Sequence, residues 1–171
     1  TLGWSSVILS GNTSIVNYKQ ALRKIFFSNN LENPSNALRT ISVIINDGDS
    51  AKTSNAYIIV VPVNDPPILH INSDNTATDY LTSYSENSAG ISIVDSGMMT
   101  LSDADSPRMK SLLISLTTVV GNNKLEIEGV LPQGINASFG YGSINLSGMA
   151  SIAAYSTALK QVRFRIDGQN S

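Results

Sequence analysis

The sequence predicts an all-β protein of tandem Greek-key β-sandwich repeats, with one short helical turn per repeat. Three observations carry this. Apolar residues fall in short alternating runs, Gly, Asn and Pro turn signals separate those runs, and one stretch of about twenty residues recurs further along the chain. With 171 residues the chain reaches one domain or somewhat more, long enough to bury a core without disulfides or metal.

In chain order, Tyr18, Leu22 and Ile25 stand at i, i+4 and i+7. This spacing predicts one or two helical turns leading into a strand through Ile25 and Phe27, with the three side chains in the core. Thr40 to Ile45 reads as a half-buried strand with Ile41, Val43 and Ile45 on one face, ending at the turn Asn46-Asp47-Gly48-Asp49. The chain is then predicted to return through Tyr57 to Val61, a more fully buried strand, closing a hairpin. Further strands follow from the alternation of Leu112, Ile114 and Leu116, of Leu125 and Ile127 with Lys124, Glu126 and Glu128, and of Ile144 and Leu146 about Asn145.

The internal repeat aligns Leu9–Phe27 on Leu146–Phe164 without gaps, Ser14 falling on Ser151 at an offset of 137 residues, with roughly half the positions identical. The shared Gly, Tyr, Leu and Phe are what a turn followed by a core-filling element requires. The chain therefore reads as the second half of one repeat (1–63), a linker (64–67) stiffened by Pro66 and Pro67, and most of a following repeat (68–171).

Composition excludes several kinds of function. A net charge of −2 without a basic run offers no nucleic-acid footprint. The longest apolar stretch, Ala56 to Val63, falls far short of the ~20 residues that cross a bilayer, so no membrane insertion is expected of this segment. With no Cys and one His, thiolate nucleophiles and CxxC or HExxH zinc sites are impossible, a His-dependent triad would have His70 alone to draw on, and no enzyme is expected. The lack of Cys suits a reducing compartment and many extracellular β-repeats alike.

Val63-Asn64-Asp65-Pro66-Pro67, Glu86-Asn87-Ser88-Ala89-Gly90 and Leu101-Ser102-Asp103-Ala104-Asp105-Ser106 resemble, in order and spacing, the linker, the first-strand motif and the Asp-x-Asp loop of cadherin-like extracellular repeats. The Tyr-x-x-Ala-Leu-x-x-Ile/Val-x-Phe element, followed by Arg39-Thr40-Ile41 and Asn46-Asp47-Gly48, is similar to the longer chondroitin-sulfate-proteoglycan/FRAS-type and adhesin varieties. The resemblance implies immunoglobulin/cadherin-like sandwiches and calcium at the joints. Asn64, Asp65, Asp103 and Asp105 would serve one joint and Glu86 the next. Val63 and Pro66 depart from the family's acidic and Asn positions, and the first repeat has no Leu-Asp-Arg-Glu-like pair. Fewer carboxylates put a site here in the ~10⁻⁴–10⁻³ M range or remove it.

Each of these residues also has a plain structural reading. Asp103 to Pro107 suits a solvated turn, and Asp47 and Asp49 suit a hairpin turn without metal. Glu126 and Glu128 lie on a solvent face, and His70 is structural. The sequons at Asn12, Asn136 and Asn145 fit a secreted glycoprotein, Asn12 and Asn136 being the better acceptors. The function expected is a non-enzymatic structural or adhesive module of a secreted or cell-surface matrix or adhesion protein. Its partners would be other extracellular or matrix proteins and neighbouring repeats of the same chain. The alternatives are an accessory or carbohydrate-binding module of a large secreted protein, disfavoured by the scattered aromatics, and a repeat of a bacterial surface adhesin.

Overall fold

The computed structural model describes residues 5–72, 79–85 and 88–166. The chain is mostly β-strand in several antiparallel sheets, with two helices among the described residues. It divides into two compact units, Thr1–Pro62 and Val63–Ser171.

In the first unit, helix α1 (Ile15–Leu22) precedes the hairpin of β1 (Arg39–Asn46) and β2 (Ala51–Ile58). Ser14 caps α1, its hydroxyl accepting from the Asn17 N–H at 3.3 Å. The hairpin register runs from Arg39 opposite Ile58 to Asn46 opposite Ala51. Its turn is held by short polar side chains: Asn46 Oδ1 accepts from Gly48 N–H at 2.6 Å, and Asp47 Oδ1 accepts from the N–H groups of Asp49 and Ser50 at 3.0 and 2.8 Å.

The second unit holds β3 (Ile68–His70), β4 (Ile91–Ser92), β5 (Thr100–Ser102), β6 (Arg108–Ser115), β7 (Asn123–Ile127), β8 (Asn136–Gly140), β9 (Ser143–Ser151), α2 (Ile152–Lys160) and β10 (Val162–Ile166). Two three-stranded sheets, in the orders β4-β10-β7 and β6-β9-β8, and the pair β3-β5 are all antiparallel. The alternation about Asn145 has its predicted result. Ile144 and Leu146 are wholly buried and join Leu125, Val162, Tyr155 and Leu159 in one core fed by both three-stranded sheets and α2. Ser151 ends β9 and caps α2, its hydroxyl accepting from the Ala154 N–H at 3.1 Å.

Several expectations are corrected. The helices run eight and nine residues, about two turns, which agrees with the one or two turns read from the Tyr18, Leu22 and Ile25 spacing and exceeds the one short turn per repeat. Residues 25–27 form no strand, although their counterparts form β10. A strand needs neighbouring strands to bond to, and β10 has them in β4 and β7, while no strand among the described residues pairs with residues 25–27. Leu22 and Ile25 are exposed rather than in a core, and Tyr18 is only half-buried. The strand placed at Tyr57–Val61 ends at Ile58, and Tyr57 and Ile59 are exposed. Along β1 only Val43 of the Ile41, Val43 and Ile45 face is half-buried. Among the described residues of the first unit only Pro34 is buried, because no second layer covers the hairpin or α1 there.

Candidate functional site

Asn64, Asp65, Asp103 and Asp105 all belong to the second unit. Asp103 opens a turn after β5, where its Oδ1 accepts from the N–H groups of Asp105 and Ser106 at 3.1 and 2.8 Å. Those two bonds, Ser106 foremost, hold the Asp103 carboxyl below its ordinary range by stabilising the charged form. Asp47 shows the same pattern in Asp47-Gly48-Asp49-Ser50, and its carboxyl is lowered for the same reason, again with Ser50 foremost. Local turn chemistry therefore accounts for Asp103 without a metal.

Asp105 is different. Its Oδ2 accepts from the Asp65 N–H at 3.0 Å across forty residues of chain, fastening the segment before Pro66 to the loop after β5. Its Oδ1 is buried and has no hydrogen-bond partner, a costly state for a carboxylate oxygen. Asn64 donates from Nδ2 to the Asp65 carbonyl at 2.8 Å, which leaves its side-chain oxygen uncommitted to that bond. Asp65 is thus bonded to Asp105, which is in turn bonded to Asp103 two residues earlier in the same turn. Even so, no group of three or more His, Cys, Asp or Glu side chains converges on a metal position among the described residues. Tested against a calcium ion, the site offers one orphaned buried oxygen beside a turn and a backbone tether, and oxygen donors of the class calcium takes. Glu86 lies outside the described residues.

Of the sequon asparagines, Asn12 is exposed ahead of α1 and Asn136 is exposed at the start of β8. Asn145 is half-buried in the middle strand β9, opposite Leu113 and Ser138. Glu128 is exposed and pairs with Arg163 at 2.7 Å, and Glu126 lies 3.5 Å from Arg165. Glu126 is half-buried rather than on an open solvent face, and ion pairs that keep this much contact with water contribute little to stability. His70, in β3, is half-buried with Nδ1 unpartnered.

Two features escaped the sequence reading. One is a groove of about 290 Å³ lined by Tyr80, Thr82, Tyr84, Ile91, Ile93 and Phe164 among others, in which the Tyr84 and Phe164 rings meet edge to face at 5.5 Å. Tyr80, Thr82 and Tyr84 alternate, but no motif in the sequence ties them to Phe164. The other is a hydrogen bond from Tyr155 to the Gly148 carbonyl at 2.7 Å, repeated by Tyr18 to the Gly11 carbonyl at 2.7 Å. The signal for it was present, since both copies keep Gly and Tyr seven residues apart.

Comparison with protein-family models, curated proteins and solved structures returns no match for this chain.

Proposed function

We propose that the chain is a non-enzymatic structural module of an extracellular matrix or cell-adhesion protein, in which cadherin-like Greek-key sandwiches repeat to extend and space the assembly that carries them. The observation that carries this reading is the recurrence of one corner in two separately compact units. A positive-φ glycine, a Ser-capped helix and a Tyr hydroxyl bonded back to the glycine carbonyl reappear at the same offset of 137 residues. If that corner marks a repeating structural unit, the chain belongs to an array whose properties are length, stiffness and surface rather than a single catalytic pocket. Protease shaving of intact source cells or matrix, followed with an antibody to this chain, tests the location. Cleavage at the surface is expected, and full protection behind an intact membrane overturns the reading.

Calcium belongs to the same proposal. Asp105, with Asp65, Asp103 and Asn64 around it, would hold the ion and so tie the segment before Pro66 to the loop after β5. At ten times its dissociation constant, an ion binding only the folded state adds ~1.4 kcal/mol, a shift of several degrees for a unit of this size. Melting in millimolar calcium against chelator should show that shift, and Asp105→Asn should abolish it. Superimposed melts would reject the metal and leave a passive spacer.

The Tyr80, Tyr84 and Phe164 groove favours a second reading, a carbohydrate-binding module, because aromatic faces beside hydroxyl groups suit sugar rings. Glycan-array binding that disappears in Tyr84→Ala would shift the assignment to it.

A further inference from the structure

At several matched positions the first unit exposes what the second unit buries. Val7 is 58% exposed and its counterpart Ile144 0%, and Leu22 is 46% exposed against 2% for Leu159. Leu9 and Ile25 are exposed while Leu146 and Val162 are buried. In the second unit these side chains meet Val94, Met99, Leu125 and Ile135 in a single core. The backbone repeats the contrast. β9 lies between β6 and β8, and β10 between β4 and β7, whereas residues 6–13 and 25–29 belong to no strand.

Gly148 and Gly11 sharpen it. Both have positive φ, 127° and 143°. A Cβ on Gly148 would strike the carbonyl oxygen of Gly134, so glycine there permits a close backbone approach. Around Gly11 nothing lies within 4 Å of such a Cβ. The first copy keeps the glycine, the tyrosine corner and the apolar positions of a covered face, and the described residues of its own unit supply no cover.

We infer that the face formed by residues 7–27 is a docking surface for a β half-domain of the kind built by residues 91–140. Such a partner would place strands beside residues 6–13 and 25–29 and set Val94-, Met99-, Leu125- and Ile135-like side chains over Leu9, Leu22 and Ile25. Its recognition is apolar and backbone-directed, a form of strand addition. The inference uses the equivalence of the two copies and holds whether or not the module is adhesive.

The test extends the chain with its own half-domain: residues 63–145 replace residues 1–8, so that Asn145 leads into Leu9 as it otherwise leads into Leu146. Hydrogen exchange is then read in the extended and the original chain. Amides of residues 9–27 should become ~100-fold or more better protected, approaching those of residues 146–164 in the same molecule. Leu22→Asp in the extended chain should remove that protection and leave residues 146–164 unchanged. The inference is overturned if residues 9–27 exchange as fast as before while 146–164 stay protected, or if Leu22→Asp leaves the protection intact. Sedimentation of the original chain closes the remaining route: a dimer that protects residues 9–27 would make a second copy the occupant and overturn the half-domain.

Discussion

At the scale of single residues, two glycines with the same backbone conformation separate strain from crowding. Gly148→Ala suffers both a positive φ and a collision with the Gly134 carbonyl, whereas Gly11→Ala suffers the φ alone. Denaturant unfolding should place the cost of Gly148→Ala at roughly 2–4 kcal/mol and that of Gly11→Ala near ~1 kcal/mol. Equal costs would mean that the approach of Gly134 is relieved by small backbone shifts. Tyr155 adds a second residue-scale contrast: it is wholly buried, and loss of water pushes its phenol above the ordinary range, so its hydroxyl stays protonated and donates to Gly148 at any physiological pH. Asp103 sets a pH dependence. Its carboxyl is lowered in the folded state by the N–H groups of Ser106 and Asp105, so its contribution is whole above the unfolded value of about 3.9 and is lost as pH falls through the lower folded value. Asp103→Asn keeps an accepting oxygen but cannot titrate, and its acid unfolding limb should be shallower than that of the parent. Identical limbs would show that Asp103 plays no part in acid unfolding.

At the scale of elements, the two helices are one sequence pattern in two surroundings. α1 and α2 share the Ser cap, the Tyr and the Ala-Leu pair, yet only α2 buries Tyr155, Ala158 and Leu159. Leu159→Ala removes contacts inside a closed core and should cost about 2–5 kcal/mol, while Leu22→Ala should cost less than ~1 kcal/mol because little packing is lost. Fluorescence- or circular-dichroism-detected unfolding of the two variants checks the pair, and similar losses would mean that the α1 face is covered in solution. The hairpin of β1 and β2 makes the same point for strands. Its register is regular and Ser42 reaches Asn55 across it at 2.8 Å, but two strands that no described residue of their own unit covers are marginal by themselves.

At the scale of the whole molecule, these contrasts predict an order of opening. Amides of β6, β9 and β10, whose strands feed the core, should exchange slowest. Those of β1 and β2 should exchange orders of magnitude faster, since their opening exposes little new apolar surface. Exchange mass spectrometry on the intact chain measures this directly, and uniform protection across both units would contradict it.

Much of this was legible in the residues. Alternation placed Ile144 and Leu146 in a strand core, the Asn46-Asp47-Gly48 turn located the hairpin, and Gly11 and Tyr18 against Gly148 and Tyr155 disclosed the repeat, because period, turn chemistry and spacing are local properties that a sequence states outright. The resemblance picked out Asp105 without saying why it differs from Asp49, which sits in the same turn pattern. The difference is a tether from Asp65, forty residues earlier, and an orphaned oxygen that only burial creates. In the same way Phe27 and Phe164 are one residue in one pattern, and only the second lies in a strand. Sequence thus determined which positions are built to be covered. Tertiary structure decided which of them are, since burial and strand pairing depend on distant segments meeting, and in the second unit they meet.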